Sequence, residues 1–97
     1  MTPLTCIAKI TAKEEHKDTV SSELTKIIAP TRQEKGCINY DMHTDNENGL
    51  VFMFHENWQS EQDLDVHLES NHIKGCFDII GDMLASVEIT RLTKVTI

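Results

Sequence analysis

The sequence is short of the features that mark several common function classes. Its 97 residues include three cysteines and no C-x-x-C pair, so neither a zinc cluster nor a dithiol redox centre is indicated. It also has no G-x-G-x-x-G segment and no P-loop, the motifs that cradle nucleotide phosphates. Nine Lys and Arg stand against 16 Asp and Glu, which gives a formal charge of −7. A chain this acidic is a poor partner for nucleic acid or for an anionic membrane surface.

Long apolar runs are missing as well. No segment approaches the ~20 apolar residues of a membrane span, and the first residues lack the basic and apolar regions of a secretory signal. We therefore expect a cytoplasmic protein. Cys6, Cys37 and Cys76 fall within strand or helix patterns, which predicts core packing, with a place in a pocket wall as the alternative.

The length favours one domain over residues 1–97. A domain of this size buries only about 60 to 65% of its unfolded surface, so its core alone is marginal and dimerisation would add stability. Hydrophobic periodicity predicts the order βαββαβ, an α+β ferredoxin-like fold with an antiparallel sheet. The predicted elements are a strand over 4–12, a helix over 13–35 kinked by Pro30 and ended by Gly36, a hairpin of strands 37–44 and 50–58, helical segments capped by Ser60 and Ser70, and a strand over 87–97.

The third predicted strand is apolar on both faces. Phe52 and Phe54 point to one side, and Val51 and Met53 point to the other. Helices can cover only one face of the sheet, and a second copy of the same sheet is the simplest cover for the other. The strand therefore predicts a homodimer with the architecture of a dimeric α+β barrel.

Two histidines lie where this strand gives way to helix. His67 shares or borders the buried stripe of its helix, and His72 sits near the start of the next segment, where the helix dipole favours a neutral imidazole. A neutral imidazole can act as a base, although a satisfied structural histidine is the alternative for each. They are five residues apart, about 500° around a continuous helix, so they would not share a face and no metal site is predicted.

Three further side chains are candidates for a site. Trp58, on the same strand face as Phe54 and Glu56, is either a flat wall for a planar substrate or an edge-of-core residue. Tyr40 is expected in the pocket. Arg91 is in register with an apolar strand face, so it must be paired, with Glu56 or a partner-chain carboxylate, or aimed at an anionic intermediate.

The sequence resembles the antibiotic biosynthesis monooxygenase family of small dimeric barrels. The resemblance rests on an E-x-G-C-x-x-Y segment from Glu34 to Tyr40, on the E-x-W of Glu56 and Trp58, and on the paired histidines in the helix that follows. It implies a cofactor-free monooxygenase that acts with O2 on a hydroquinone, anthrone or similar polyphenol. The candidate catalytic residues are His67, His72 and Arg91, and the candidate substrate contacts are Trp58, Tyr40, Glu56, Phe54 and Phe77.

Such an enzyme has to deprotonate its substrate. A phenol with a pKa of ~10 facing an imidazole with a pKa of ~6.5 leaves a gap of about 3.5 units, roughly 5 kcal/mol. A base alone cannot close that gap. A cation or a hydrogen-bond donor at the developing oxyanion is needed, which is the reason to pair His67 or His72 with Arg91 or Tyr40.

Three other functions compete with this interpretation. In the haem-degrading branch of the superfamily, an Asn and an iron-ligating His occupy the places held here by Ala8 and Phe77, which counts against haem. An isomerase related to quorum-signal processing enzymes would want a basic pocket for phosphate, and this acidic chain offers few candidates. A non-catalytic dimeric module that binds small hydrophobic molecules is the third.

Overall fold

A four-stranded antiparallel sheet carries the helices on one face. The computed structural model describes residues 3–97, and its strands follow the order β2-β3-β1-β4. This arrangement confirms the predicted α+β ferredoxin-like fold. The elements are β1 (Leu4–Ala12), α1 (Lys17–Lys26), α2 (Ile28–Arg32), β2 (Cys37–Thr44), β3 (Val51–Trp58), α3 (Glu61–Leu68), α4 (Asn71–Ile80) and β4 (Leu84–Leu92), with 3-10 turns at Glu14–His16 and Gly81–Met83.

The first predicted helix is broken near the expected place. α1 ends at Lys26 and α2 begins at Ile28, so Pro30 lies in the first turn of a new helix, where its missing N–H breaks no helical bond. The second helix ends at Arg32, earlier than the predicted boundary at residue 35. Gly36 then adopts φ +83°, a conformation that favours glycine, and turns the chain into β2.

Gly36 also lies against α3, and the first prediction is that a larger residue at this position destabilises the protein. A Cβ at this position would overlap the Asp63 carboxylate, and the positive φ adds backbone strain. Gly36→Ala is therefore expected to lower the free energy of unfolding by about 1–3 kcal/mol in urea titrations. Gly75→Ala is the matched control. Gly75 lies within α4 with nothing within 4 Å of an added Cβ, so its replacement should be neutral or stabilising. Equal losses in the two variants would contradict the role given to Gly36.

The predicted helix caps have different outcomes. Ser60 caps α3 as expected, its Oγ accepting a hydrogen bond from the Asp63 N–H at 3.1 Å. Ser70 precedes α4 but makes no such cap, which corrects the prediction. Its hydroxyl instead donates to the backbone oxygen of His67 at 2.7 Å and joins the end of α3 to the start of α4.

The last strand ends earlier than predicted. β4 stops at Leu92, and residues 93–97 have no regular structure, with Val95 and Ile97 exposed. The reason is the register, because Leu92 pairs with Thr5 and β1 begins only one residue before that. Beyond Leu92 the strand has no neighbour in this chain to pair with.

The two faces of the sheet differ in character. The helix face forms a core in which Phe52, Phe54 and Trp58 are almost completely buried. Val51 and Met53 lie on the opposite face as predicted, but polar side chains share it. There Asn57 accepts from the Thr5 hydroxyl at 2.6 Å and donates to Asn39 at 2.7 Å. None of the helices within residues 3–97 is both long and apolar enough to cross a membrane.

Candidate functional site

A small cavity lies between the sheet and the helices α3 and α4. Its volume is about 30 Å³, enough for roughly two water molecules. It continues into an open surface groove of about 390 Å³ between α4 and β4, and Leu68, Phe77 and Ile89 line both. The groove and the cavity therefore share part of their wall. The cavity wall is apolar except for a few groups, and its members include Cys6, Tyr40, Phe54, Glu56, His67 and Phe77.

Glu56 is a carboxyl group buried in this apolar wall. The residue is only 3% exposed, and its Oε1 accepts a hydrogen bond of 2.9 Å from the indole N–H of Trp58. Burial raises the pKa of Glu56 to about 7, although the Trp58 hydrogen bond opposes the shift. Near neutral pH the group is therefore present in both protonation states.

Trp58 lies behind the cavity rather than in its wall. The side chain is fully buried, its N–H is engaged by Glu56, and its ring packs 4.7 Å from the His67 ring. These contacts match the edge-of-core alternative for Trp58. In the described chain it positions the cavity residues instead of contacting the cavity itself.

His67 carries the central geometry of the site. Its Nδ1 lies 2.6 Å from Oε2 of Glu34, and its ring lines the cavity between Tyr40 and Trp58. An ionised carboxylate only accepts hydrogen bonds, so Nδ1 holds the proton and Nε2 keeps its lone pair. The side-chain hydrogen bond of His67 within residues 3–97 is made through Nδ1, not through Nε2. Burial lowers the pKa of His67, opposed by Glu34, and this favours the neutral ring.

His72 reaches the same carboxylate from the other side. Its Nε2 lies 2.9 Å from Oε2 of Glu34 and 3.3 Å from the Ser70 hydroxyl. The prediction that the five-residue spacing keeps the two histidines apart is wrong. It assumed one continuous helix, but α3 ends at Leu68 and α4 begins at Asn71, so both rings can approach Glu34. His72 does not line the cavity. Of the two imidazoles, His67 is the one that faces it.

Glu34 itself was absent from the predicted site. It lies in the turn between α2 and β2, a segment that periodicity reads only as a connection. The available signal was its place in the E-x-G-C-x-x-Y pattern, two residues before the glycine that redirects the chain. No local spacing predicts that this turn meets the junction of α3 and α4.

Tyr40, Phe54 and Phe77 lie where they were expected. Tyr40 stacks on Phe54 with ring centroids 4.8 Å apart, and all three rings line the cavity. Within residues 3–97 the hydrogen bond from Arg32 to Tyr40 goes to its backbone oxygen at 3.1 Å and leaves the hydroxyl free to donate. Burial raises the pKa of Tyr40, so the hydroxyl keeps its proton and can act as a donor.

The structure places Arg91 in ion pairs outside the cavity. Its guanidinium donates to Glu61 at 3.0 Å and to Asp65 at 2.7 Å, two carboxylates on the outer side of α3. Glu56, the partner proposed from the sequence, is not involved. Because the guanidinium is held by two acids and does not line the cavity, this geometry argues against Arg91 as a catalytic cation. The ion-pair alternative describes the residue.

The cysteines behave as packing residues. Burial raises the pKa of Cys6 to about 12 and that of Cys76 to about 11, and it also raises the pKa of Cys37. The thiols therefore stay protonated and are poor nucleophiles. Cys6 also contributes to the cavity wall, as the alternative from the sequence allowed.

Comparisons with known proteins agree with this architecture. The profile of the family described as "Antibiotic biosynthesis monooxygenase" matches residues 3–78. The crystal structure of PA3566 from Pseudomonas aeruginosa superposes with a TM-score of 0.93, at 33% identity over 99% of this chain and 97% of that one. Rv0793 of Mycobacterium tuberculosis is 30% identical over 98% of this chain and 88% of its own length.

Two further relatives bear on function and length. The Escherichia coli K12 protein named "Probable quinol monooxygenase YgiN" is 29% identical over 84% of this chain and 88% of its own length. The Synechocystis sp. protein sll1783 is 26% identical over 96% of this chain, which spans 63% of that relative.

Proposed function

Because the chain belongs to the antibiotic biosynthesis monooxygenase family, we propose that it is a cofactor-independent monooxygenase that oxidises a small aromatic quinol with O2. The observation that carries the proposal is the pair of Glu34 and His67, in which the Glu34 carboxylate holds the proton on Nδ1 and leaves Nε2 unprotonated on a ring that lines an apolar cavity. The name of the relative YgiN supports a quinol as the substrate class.

The first step is deprotonation of the quinol. Its ring enters through the groove, and Nε2 of His67 accepts the proton of one hydroxyl. The resulting imidazolium is stabilised by the Glu34 carboxylate 2.6 Å from Nδ1. Burial of His67 widens the pKa gap to the phenol, so a second contribution is needed at the oxyanion. The unpartnered Tyr40 hydroxyl supplies it by donating a hydrogen bond.

The phenolate then reacts with O2 without help from a bound group. The electron-rich ring passes an electron to O2 and recombines with it, and cleavage of the O–O bond follows. Overall a quinol and O2 give a hydroxyquinone and water, so one oxygen atom enters the ring and the other is reduced to water. All four electrons come from the substrate. Glu56, buried in the same wall, is placed to accept the second phenolic proton.

The second prediction compares substitutions at Arg91 and Tyr40, which should have different effects on turnover. Arg91→Met should leave turnover within about twofold and change the free energy of unfolding by less than about 1 kcal/mol, since its ion pairs are exposed. Tyr40→Phe removes only the hydroxyl and should lower turnover by about 10²-fold. Steady-state oxygen consumption measures both. If Arg91→Met lowered turnover as much as Tyr40→Phe, Arg91 would be a catalytic cation.

Oxygen uptake with a panel of reduced quinols tests the activity itself. Protein dialysed against a chelator should consume O2 faster than the spontaneous oxidation of at least one quinol. Binding of quinols without any uptake would instead support the non-catalytic module. The isomerase is disfavoured because, among the described residues, no Lys or Arg lines the cavity and Lys74 is the single basic residue that lines the groove, which is little counter-charge for a phosphate.

We also propose that the protein is a homodimer joined through the outer face of its sheet, and this is the third prediction. Met53 and Ile7 are half-buried apolar side chains on that face, beside the polar network. The melting temperature should therefore rise with protein concentration. Ile7→Lys should weaken the dimer, whereas Val66→Lys, an exposed position on α3, should not. A monomeric mass in sedimentation at micromolar concentration would overturn the architecture.

A further inference from the structure

We propose that Glu34, His67 and His72 form a binding site for a divalent ion of the Zn²⁺ class, and that the bound ion inhibits the enzyme. The binding follows from the geometry of the three side chains alone. The inhibition rests on the proposed function, because it acts through the nitrogen of His67 that serves as base.

The three donor atoms are already close together. One donor atom from each of Glu34, His67 and His72 lies within 4.8 Å of the other two. The carboxylate oxygen sits between the two nitrogens, at 2.6 Å and 2.9 Å. A tetrahedral zinc ion with bonds of ~2.0–2.1 Å sets its donor atoms about 3.3 Å apart. Small side-chain rotations that move Oε2 outward and bring the nitrogens together would create that geometry.

The donor set selects the kind of ion. Two imidazoles and one carboxylate are the three protein ligands of many zinc sites, with a fourth position left for water. Ca²⁺ and Mg²⁺ prefer oxygen ligands and would bind poorly here. The side chain of His72 is 24% exposed, which gives the ion an entry from solvent, and the Ser70 hydroxyl lies beside it.

Occupancy would reverse the tautomer of His67. In the metal-free protein Nδ1 donates to Glu34, Nε2 is the free acceptor, and the His67 ring lines the cavity. An ion on Nδ1 takes that nitrogen's lone pair, so the neutral ring carries its proton on Nε2. Nε2–H can no longer accept the phenolic proton. The ion would also neutralise the Glu34 charge that stabilises the imidazolium.

Calorimetric titration of chelator-treated protein with Zn²⁺ tests the site without reference to activity. We expect one ion per chain, and no binding of Mg²⁺ or Ca²⁺ at the same concentrations. His72→Gln, which removes one ligand, should weaken Zn²⁺ binding about tenfold or more. His43→Gln, at an exposed position on β2, should bind as the wild type does. Absent binding, or binding unchanged in His72→Gln, would overturn the site.

Oxygen uptake then tests the inhibition. The rate with Zn²⁺ is divided by the rate of the same protein in chelator, so differences in basal turnover between variants cancel. Zn²⁺ should lower the rate of oxygen uptake by the wild type at least tenfold. His72→Gln should need about tenfold more Zn²⁺ for the same decrease in rate. The ¹⁵N shifts of His67 should report the proton moving from Nδ1 to Nε2.

The two proposals fail in different ways. If chelated wild type oxidises no quinol but Zn²⁺ still binds through His72, the proposed function fails and the ion site stands. If Zn²⁺ binds and leaves turnover unchanged, the inhibitory role is wrong. If chelation abolishes turnover and one metal restores it, the ion is catalytic, and both the inhibition and the cofactor-independent mechanism are overturned.

Discussion

His67→Gln is expected to lower quinol turnover by about 10²- to 10⁴-fold, the contribution typical of a positioned general base. Gln fills a similar volume and its amide N–H can still donate to Glu34, but it has no basic nitrogen to take a phenolic proton. Initial rates of oxygen consumption, normalised to folded protein, measure the effect.

His55→Gln is the matched control. His55 lies on β3, where it is exposed on the face of the sheet that points away from the helices, and its Nδ1 is 3.1 Å from the Asn39 amide nitrogen. Its replacement should leave turnover unchanged. If His67→Gln lowered only thermal stability and kept its turnover per folded molecule, the histidine would be structural and the mechanism would lose its base.

Glu56→Gln is expected to stabilise the protein above neutral pH by up to about 3 kcal/mol. The pKa of Glu56 is about 7 in the folded protein, against an ordinary value of 4.5. Below pH 4.5 both states hold the proton. Between pH 4.5 and 7 the unfolded chain loses it while the folded chain keeps it, so the free energy of unfolding falls as pH rises through this window. Gln removes the titration and still accepts from the Trp58 N–H.

Urea unfolding at pH 4.5, 6 and 7.5 measures this effect. The difference between Glu56→Gln and wild type should grow in favour of the variant as pH rises across the window. Glu69→Gln is the control, because Glu69 is exposed and pairs with Lys74 on the surface. It should leave the pH dependence as it is in the wild type. Parallel pH profiles for wild type and Glu56→Gln would show that burial does not raise the pKa of Glu56.

The sequence predicts the elements of this fold well because their signals are local. The alternation of β1 from Leu4 to Ala12 is matched by alternating burial, and Pro30 breaks the first helical region as expected. The ends of the helices and strands are harder to predict from the sequence. The end of β4 at Leu92 depends on where β1 begins, which is a property of the register between two strands far apart in sequence.

The site is predicted only in part because its decisive contacts are long-range. Tyr40, Phe54, Glu56 and Phe77 reach the cavity as the strand faces and helix stripe suggest. Glu34, however, meets His67 across 33 residues. Likewise the carboxylates that hold Arg91 lie 26 and 30 residues from it, on the outside of α3. Periodicity identifies which face a residue occupies, and it does not identify the partner that folding brings to that face.

Oxygen-isotope analysis of the product can establish whether His67, oriented by Glu34, is the base of a cofactor-independent monooxygenation. Chelator-dialysed protein would be given a reduced quinol under ¹⁸O2, with His67→Gln and His55→Gln treated in the same way. One ¹⁸O atom is expected in the hydroxyquinone formed by wild type and His55→Gln, and the rate of its formation should be lowered about 10²-fold or more in His67→Gln. Product free of ¹⁸O, or labelling at equal rates in wild type and His67→Gln, would rule this mechanism out.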